Sequence, residues 1–258
     1  MSTWSNLKKD FDYSSLTSDG ILVVTATNNK YTQGAVGMIK SFLCKSKLSA
    51  DFIVLGKDLT PNSLYALKDL PNTRVISLED HHSLDHWCTW ILEIFWLRET
   101  SDYEYVFYVD TDILVRKSLT SLLDTFDKYG DDHDVCVIDH KRSWHKEWFL
   151  KSRDHNFNAG FIVFKGSFFK SKECIKLKDT ICANSPNNDE KFLRSFFEGR
   201  ELLYAPTKFN GRIIWLNKNA VKIDDIYVVH FVGQENKPWL KNETIWEAEW
   251  HKIFNMNV

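Results

Sequence analysis

The chain has 258 residues, 43% of them hydrophobic, so it is long enough to bury one substantial core and we expect a single domain. Its 33 Lys and Arg residues nearly balance 35 Asp and Glu residues, and the net charge of -2 gives no electrostatic reason to expect a nucleic-acid or anionic-membrane partner. The longest apolar stretches, at 105–109 and 161–164, have the length of strands and fall far short of the roughly 20 residues that a membrane-spanning helix needs.

Cellular location and cysteine chemistry are predicted from two further patterns. The N-terminal residues lack the basic start and apolar middle of a secretory signal, which predicts a cytoplasmic location. The cysteines are odd in number, widely spaced and without a C-x-x-C pair, which argues against a disulfide framework and against a thiolate zinc site. We expect all of them to be reduced core residues: Cys44, Cys88, Cys136, Cys174 and Cys182.

The first part of the chain alternates strand and helix patterns. Residues 21–25 form a continuous apolar, β-branched run that predicts a buried strand, and the apolar positions of 34–42 follow a helical stripe. A second strand is predicted at 52–55, a second helix begins at Pro61, and a third strand follows at 74–78. This order predicts βαβ units and a parallel sheet.

The middle of the chain predicts a buried helix followed by a central strand. Residues 87–97 are apolar on nearly every side, as expected of a buried helix. Residues 105–109 are an unbroken apolar run, which is typical of a strand covered by helices on both faces of a parallel sheet. Asp110 and Asp112 therefore fall at the carboxyl end of a buried strand.

The second half continues the α/β pattern. Strands are predicted at 134–138, 161–164 and 226–230, and helices at 168–183, at 190–197 and near the C-terminus at about 241–255.

The Asp110-Thr111-Asp112 motif lies where open parallel sheets bind ligands, beyond the carboxyl ends of their strands. Residues i and i+2 of an extended chain project to the same side, so both carboxylates could approach one hard cation. A lone D-x-D is also common in solvated turns. It would equally suit a metal-dependent phosphatase that uses the first Asp as a nucleophile.

A second candidate segment lies near the C-terminus. His230 offers an imidazole ligand, Gly233 permits close approach of the backbone, and Lys237 offers an ammonium for phosphate oxygens. Without these neighbours, a buried core histidine would be the simpler interpretation of His230.

Together these motifs resemble glycosyltransferase family 8, the family of glycogenin and of bacterial lipopolysaccharide galactosyltransferases. The resemblance lies in segments that occur in the family's order across residues 21–239. They are the opening strand and loop at 24–35, Asp110-Thr111-Asp112, Phe157-Asn158-Ala159-Gly160, Asp189-Glu190-Lys191-Phe192-Leu193, and the segment from His230 to Trp239.

The resemblance implies a fold and a domain organisation. The expected fold is α/β, a single-domain GT-A (Rossmann-like nucleotide-diphospho-sugar transferase) fold with a mixed, mostly parallel central sheet. One glycosyltransferase domain would span residues 1–258. Its nucleotide-sugar-binding half would lie at about 20–115, its acceptor-side half at about 116–240, and the C-terminal helix would follow.

The resemblance also implies roles for individual residues. Asp110, Asp112 and His230 would bind Mn²⁺ or Mg²⁺, and Asp189 and Asn158 would take part in catalysis. Residues that would contact the donor are Thr27, Asn28, Tyr31, Asp110, Thr111, Asp112, Asn158, Ala159, Gly160, Glu190, Gly233 and Lys237. Within this set Tyr31 would stack on uracil.

Simpler interpretations remain for several of these residues. Thr27, Asn28 and Tyr31 would also suit a plain turn between strand and helix. Asn158 would also suit a sharp turn, and Asp189 would serve as a helix N-cap.

The chain departs from the family pattern in several places, one of them the segment Pro186-Asn187-Asn188, which replaces an Asp/Gly-rich stretch of glycogenin. It has no Lys or Arg between Arg74 and Arg98, although family members often carry a Lys near the position of Ile91. Glu190 stands where the family often has Gln, and the segment from His230 to Lys237 is one residue longer than in glycogenin. The identity of the donor sugar is therefore not implied.

The function that the resemblance implies is metal-dependent hexose transfer with retention, glucose or galactose being expected, from a UDP-sugar to a hydroxyl of a glycan or protein. A homodimer is one assembly that this hypothesis allows. Two alternatives stay open: a non-catalytic nucleotide-sugar-binding protein of the same fold, and a metal-dependent phosphate-transfer enzyme.

Overall fold

The structure is a computed structural model that describes residues 20–78, 87–129, 133–139, 150–152, 156–218 and 223–258. The N-terminal segment on which the predicted location depends lies outside these ranges. Among the residues described, no helix is both long enough and apolar enough to cross a membrane.

The opening of the chain forms a parallel βαβαβ unit, as predicted. Its elements are β1 (Ile21–Asn28), α1 (Thr32–Lys45), β2 (Asp51–Lys57), α2 (Pro61–Lys68) and β3 (Thr73–Ser77). Pro61 occupies the first turn of α2, where its missing N–H costs nothing, and Thr60 caps that turn by accepting a hydrogen bond from the Ser63 backbone N–H at 3.3 Å.

The remainder of the chain adds eight strands and five α-helices among the described residues. They are β4 (Tyr105–Val109), β5 (Ile113–Val115), α3 (Thr120–Tyr129), β6 (Val135–Asp139), β7 (Leu150–Ser152), β8 (Phe157–Lys165), α4 (Lys172–Asn184), α5 (Asp189–Phe196), β9 (Leu202–Ala205), β10 (Gly211–Arg212), α6 (Ile213–Lys218), β11 (Val228–His230) and α7 (Ile245–Phe254).

The large sheet has the strand order β3-β2-β1-β4-β8-β6-β9-β7. The strands from β3 to β4 run parallel to one another. β8 runs antiparallel to both β4 and β6, β9 is parallel to β6, and β7 forms an antiparallel edge. The mixed, mostly parallel sheet predicted from the sequence is confirmed.

Hydrophobic clusters cover both faces of this sheet. Successive residues of β1 alternate between them, with Val23 in one cluster and Leu22 and Val24 in the other. Helices α1 and α3 pack on the first face, and α4, α5 and the segment Trp87–Trp96 pack on the second. Coverage of both faces explains why β4 is an unbroken apolar run.

A smaller sheet has the order β10-β11-β5. β11 runs antiparallel to β5, with His230 opposite Ile113, and the Phe231 backbone N–H donates to the Asp112 carbonyl at 2.9 Å. This pairing brings the C-terminal part of the chain against the turn between β4 and β5.

Two predicted elements differ from the structure in detail. The buried helix predicted at 87–97 is present as the 3-10 helix Trp87–Trp96. Because it is apolar on nearly every side, its sequence dictates burial but carries no stripe that fixes the helical period. The helix predicted at 168–183 begins only at Lys172, since Ser171 caps it by accepting from the Cys174 N–H, and Phe168 lies in the preceding 3-10 turn Gly166–Lys170.

The expectation that all cysteines are reduced core residues is right in part. Cys136 and Cys174 are free and buried, whereas Cys44 and Cys182 are free and exposed. Cys88 lies outside the part of the chain whose side chains are described.

Candidate active site

A cavity of about 390 Å³ opens beyond the carboxyl ends of β1 and β4, the edge at which α/β sheets bind ligands. Most predicted site residues line it: Thr27, Asn28, Tyr31, Asp110, Thr111, Asp112, Asn158, Asp189, Glu190, His230, Gly233 and Lys237. Two predicted donor-contacting residues, Ala159 and Gly160, do not line it, and Ala159 is buried in β8. The structure thus brings together residues from both halves of the sequence.

The turn after β1 forms one wall of the cavity. Asn28 Oδ1 accepts from the Tyr31 backbone N–H at 3.2 Å, and the Thr32 hydroxyl donates to the Asn28 carbonyl at 3.0 Å. The Tyr31 ring meets the Trp239 ring edge-on with centroids 6.0 Å apart. Asn28 therefore shapes the turn itself, while Tyr31 presents an aromatic ring to the cavity.

The D-x-D motif and His230 converge at the base of the cavity. His230 Nε2 lies 3.2 Å from Asp112 Oδ1 and 3.5 Å from Asp110 Oδ2. One ligand atom from each of these three residues lies within 4.8 Å of the others. His230 is 3% exposed, but its ring faces the two carboxylates rather than apolar side chains alone.

This donor set fits a divalent cation. Two carboxylates and one imidazole suit Mn²⁺ and are compatible with Mg²⁺. The backbone of Gly160 packs directly against the cluster, because a Cβ at this position would lie 2.2 Å from His230 Cε1 and 2.7 Å from Asp110 Oδ2. Only glycine leaves space for the imidazole and the carboxylate at this point.

The two carboxylates differ in proton affinity. Burial in the cavity, reinforced by the Asp112 charge, raises the pKa of Asp110 to about 7. Burial would also raise the pKa of Asp112, but the opposing effects of His230 and Lys237 outweigh it and hold that pKa below its usual value.

Lys237 is engaged within the cluster. Its ammonium donates to Asp112 Oδ2 and, at 3.2 Å, to the Phe231 carbonyl. The contact with phosphate oxygens expected for Lys237 stays a prediction.

Asp189 is the first residue of α5 and is not its cap. The cap is Asn188, whose side chain accepts from the Lys191 N–H at 2.7 Å. Asp189 Oδ2 instead accepts a hydrogen bond from the Tyr108 hydroxyl on β4, and burial raises the pKa of its carboxyl. The N-cap alternative for Asp189 is therefore wrong, and its carboxylate is held at the cavity.

Asn158 lies in strand β8 rather than in a turn, so that alternative is also wrong. Its side chain donates to Glu190 Oε2 at 2.7 Å and accepts from the Gly160 N–H at 3.0 Å and from Asn210 Nδ2 at 3.1 Å. Asn210 Oδ1 in turn lies 3.0 Å from His230 Nδ1. A chain of hydrogen-bonded polar groups thus joins Glu190 to the candidate metal cluster.

Sequence reasoning missed several residues of the site. Tyr108 was expected only as a core residue of β4, and Asn210 lies in an irregular stretch without a motif. Arg212 on β10 lines the cavity, as do Trp90 and Ile91. The sequence has no Lys or Arg between Arg74 and Arg98, where family members often carry a Lys. This absence was the signal that a basic residue from another part of the chain could line the cavity.

Fold and cavity together define a GT-A-type α/β protein. Residues 22–243 match the family model described as Glycosyl transferase family 8, and the chain therefore belongs to this family of glycosyltransferases, as the sequence motifs predicted.

Similar solved structures include the galactosyltransferase LgtC in complex with donor and acceptor sugar analogues, with a TM-score of 0.66 and 20% identity over 92% of this chain and 97% of that one. The glycosyltransferase GlyE of Streptococcus pneumoniae TIGR4 matches in its apo form with a TM-score of 0.61 and 16% identity, covering 92% of this chain and 60% of that one. At these identities the likeness concerns the fold.

Curated relatives include galactinol synthase 6 of Arabidopsis thaliana, which is 23% identical over 168 residues, 57% of this chain and 49% of the relative. Galactinol synthase 10 of the same plant is 25% identical over 163 residues, 55% of this chain and 45% of the relative. The matched segments span about half the length of these relatives.

Proposed function

We propose that this protein transfers a hexose from a UDP-sugar to a hydroxyl group of a glycan or protein, with a divalent cation bound by Asp110, Asp112 and His230. The observation that carries the proposal is the convergence of these three ligands, within 4.8 Å of one another, in a cavity that Tyr31 and Asp189 also line. A diphosphate donor needs such a cation because negative charge develops on the departing diphosphate.

The donor would lie between the turn after β1 and the start of α5. Tyr31 would stack on uracil, with Thr27 and Asn28 at the nucleoside, and Gly233 and Lys237 would lie near the diphosphate. Asn158 and Glu190 would face the sugar. The family's known members support a hexose, since LgtC is a galactosyltransferase and the curated relatives are galactinol synthases.

The cation, when bound, would neutralise charge on the leaving diphosphate. The ammonium of Lys237 would add to this stabilisation, and the Asp189 carboxylate would orient the sugar or stabilise positive charge on its ring. Retention at the anomeric carbon needs no protein base if a departing phosphate oxygen accepts the acceptor's proton on the face of attack.

The proposal is tested by incubating the protein with a panel of UDP- and GDP-sugars and measuring release of free nucleotide with Mn²⁺ and with EDTA. We expect Mn²⁺-dependent UDP release from UDP-glucose or UDP-galactose, because slow donor hydrolysis accompanies such transfer.

Asp112→Ala removes one carboxylate of the cluster and should abolish Mn²⁺-dependent UDP binding, measured by calorimetry. Asp102→Ala is the matched control, since the Asp102 side chain is 77% exposed and its contacts are a 4.0 Å ion pair with Lys170 and a 3.5 Å hydrogen bond from the Ser101 hydroxyl. Mn²⁺-dependent affinity for UDP that is equal in wild type and Asp112→Ala would refute the ligand assignment. UDP binding without any release across the panel would favour a non-catalytic binding protein.

A further inference from the structure

We propose that Asn210 is a positioning residue that keeps His230 protonated on Nδ1 and thereby leaves the Nε2 lone pair free for a cation shared with Asp110 and Asp112. The proposal rests on the proposed function, because it assumes that this cluster takes a divalent cation. Asn210 is 3% exposed and lies directly before β10, with Oδ1 3.0 Å from His230 Nδ1.

The side chain of Asn158 has one orientation that satisfies both of its fixed neighbours. Its oxygen lies 3.0 Å from the backbone nitrogen of Gly160, a group that can only donate. Its nitrogen lies 2.7 Å from Oε2 of Glu190, whose other oxygen pairs with Arg194 at 3.0 Å. An ionised carboxylate can only accept, so turning the Asn158 amide around would lose both hydrogen bonds.

The orientation of Asn158 determines that of Asn210. Asn158 Oδ1 lies 3.1 Å from Asn210, and because that oxygen can only accept, Asn210 must present its NH₂ group there. The Asn210 amide has a single oxygen, and this oxygen must then face His230 Nδ1.

The orientation of Asn210 in turn determines the His230 tautomer. An amide oxygen accepts, so Nδ1 must carry the proton. A neutral imidazole has one N–H, which leaves Nε2 as the acceptor atom, 3.2 Å from Asp112 Oδ1 and 3.5 Å from Asp110 Oδ2. Nε2 and the two carboxylate oxygens are then all acceptors, and they repel one another unless a cation lies between them. This is the arrangement that a metal site requires.

Glu190 therefore determines which ring nitrogen of His230 carries the proton, although it does not contact His230. A carboxylate at the start of this relay allows one direction only, whereas an amide at position 190 could be turned to present either a donor or an acceptor. The relay Glu190, Asn158, Asn210 and His230 thus ties the sugar-facing wall of the cavity to the metal ligands.

The first test measures the tautomer directly. Two-dimensional ¹H–¹⁵N spectra of histidine-labelled protein with saturating Mg²⁺, a diamagnetic substitute for Mn²⁺, at about pH 8, where an ordinary imidazole is neutral, report which ring nitrogen carries the proton. The His230 signal is assigned by its loss in His230→Gln. We expect the Nδ1–H tautomer, and an Nε2–H tautomer would overturn the proposal.

The second test asks whether Mn²⁺ binding needs a hydrogen-bond acceptor at position 210 or only a side chain of that size. Asn210→Asp keeps an acceptor for Nδ1, whereas Asn210→Leu removes it at similar volume. We expect Mn²⁺ affinity, measured by electron paramagnetic resonance without nucleotide, to fall about 10–100-fold in Asn210→Leu and to stay near wild type in Asn210→Asp.

Ser41→Ala is the matched control. Ser41 is fully buried away from the cavity, accepts from the Val115 N–H at 3.0 Å and donates to the Met38 carbonyl at 2.7 Å. The Ser41→Ala variant therefore loses one buried acceptor and one buried donor, as Asn210→Leu does. Its Mn²⁺ affinity should equal that of wild type.

Two results would overturn the role of Asn210: wild-type Mn²⁺ affinity in Asn210→Leu, or equally weakened affinity in Asn210→Asp and Asn210→Leu. If Asn210→Leu does not fold, the tautomer and Asn210→Asp decide the matter. A wild-type protein that binds no Mn²⁺ yet shows the Nδ1–H tautomer would refute the metal assignment in the proposed function and support the relay.

Discussion

Asp189 is held at the cavity by a hydroxyl from the neighbouring strand, and this contact makes its charge testable. Asn at position 189 would keep an oxygen for the Tyr108 hydroxyl while losing the negative charge. We expect Asp189→Asn to bind UDP with nearly unchanged affinity and to lower turnover about 100-fold or more, because charge stabilisation in the transition state is lost. Full turnover by Asp189→Asn, measured beside calorimetric UDP binding, would remove Asp189 from catalysis.

Gly160 offers a second test at the level of one residue. Gly160→Ala places a methyl group 2.2 Å from His230 Cε1, so the imidazole must move. We expect Mn²⁺ affinity to fall at least about tenfold. The measurement is a Mn²⁺ titration, with circular dichroism to verify the fold.

Gly199→Ala is the control for Gly160→Ala. Gly199 has a positive φ of 79°, and no atom of the described part of the chain lies within 4 Å of an added Cβ, so alanine there costs about 1 kcal/mol of backbone strain without touching the cluster. Its Mn²⁺ affinity should match that of wild type. Unchanged affinity in Gly160→Ala would show that the cluster tolerates displacement of His230.

Predictability from sequence differs among the site residues for a physical reason. Asp110 and Asp112 could be placed because a buried strand directly precedes them, and strand ends determine where loops emerge. Asn210 could not be placed, because its partners Asn158 and His230 are distant along the chain and no local pattern marks it.

At the scale of elements, Tyr103 links the approach to β4 with the start of β2. Its hydroxyl donates to Asp51 Oδ2 at 2.8 Å, and Asp51 is 1% exposed, with no hydrogen-bond partner for Oδ1 among the described residues. Tyr103→Phe leaves this buried carboxylate without its donor. We expect a loss of about 1–3 kcal/mol in the free energy of unfolding, measured by urea denaturation near neutral pH.

The same contact predicts a pH dependence. Burial, followed by the hydrogen bond to Asp51, raises the pKa of Tyr103 above its usual value. A raised folded-state pKa stabilises the fold fully below the unfolded-state pKa of about 10, and this contribution is lost as the pH rises above it. The stability difference between wild type and Tyr103→Phe should therefore shrink between about pH 9 and pH 11. A constant difference would contradict the assignment.

Elements with a clear periodic pattern were predicted well, and those defined by tertiary pairing were not. The apolar stripe of α1 follows from burial of one helix face, and the unbroken apolar run of β4 follows from burial of both strand faces. β5 and β10 have three and two residues and exist only because β11 pairs with both. Their sequences carry no signal of their own, since so short a strand has no measurable period.

For the whole molecule, the proposed ligands should couple binding to global stability. Anything that binds only the folded state stabilises it by about 2.7 kcal/mol at 100 times Kd, and each kcal/mol raises the Tm of a chain near this size by about 2–4 °C. We expect Mn²⁺ and UDP together to raise the Tm in differential scanning fluorimetry and EDTA to reverse the effect. An identical shift in Asp112→Ala would show that the ligands bind elsewhere.

The overall topology was predictable only as a class. Repeated βαβ patterns indicate a mostly parallel sheet, but the insertion of β8 antiparallel between β4 and β6 depends on contacts across the chain. This insertion places Asn158 at the cavity and in contact with Asn210, the partner of the proposed ligand His230. The part of the architecture that local patterns do not reveal is therefore the part that completes the cavity.

The register of β11 against β5 has a consequence for how proteins of this design can diversify. His230 is opposite Ile113, directly after Asp112, so the short sheet fixes the backbone separation between the proposed acidic and imidazole ligands. Insertions or deletions in the intervening loops would leave that spacing untouched as long as the two strands still pair. Under the proposed function, acceptor preference could therefore be remodelled through loop length while the cation-binding geometry is inherited unchanged.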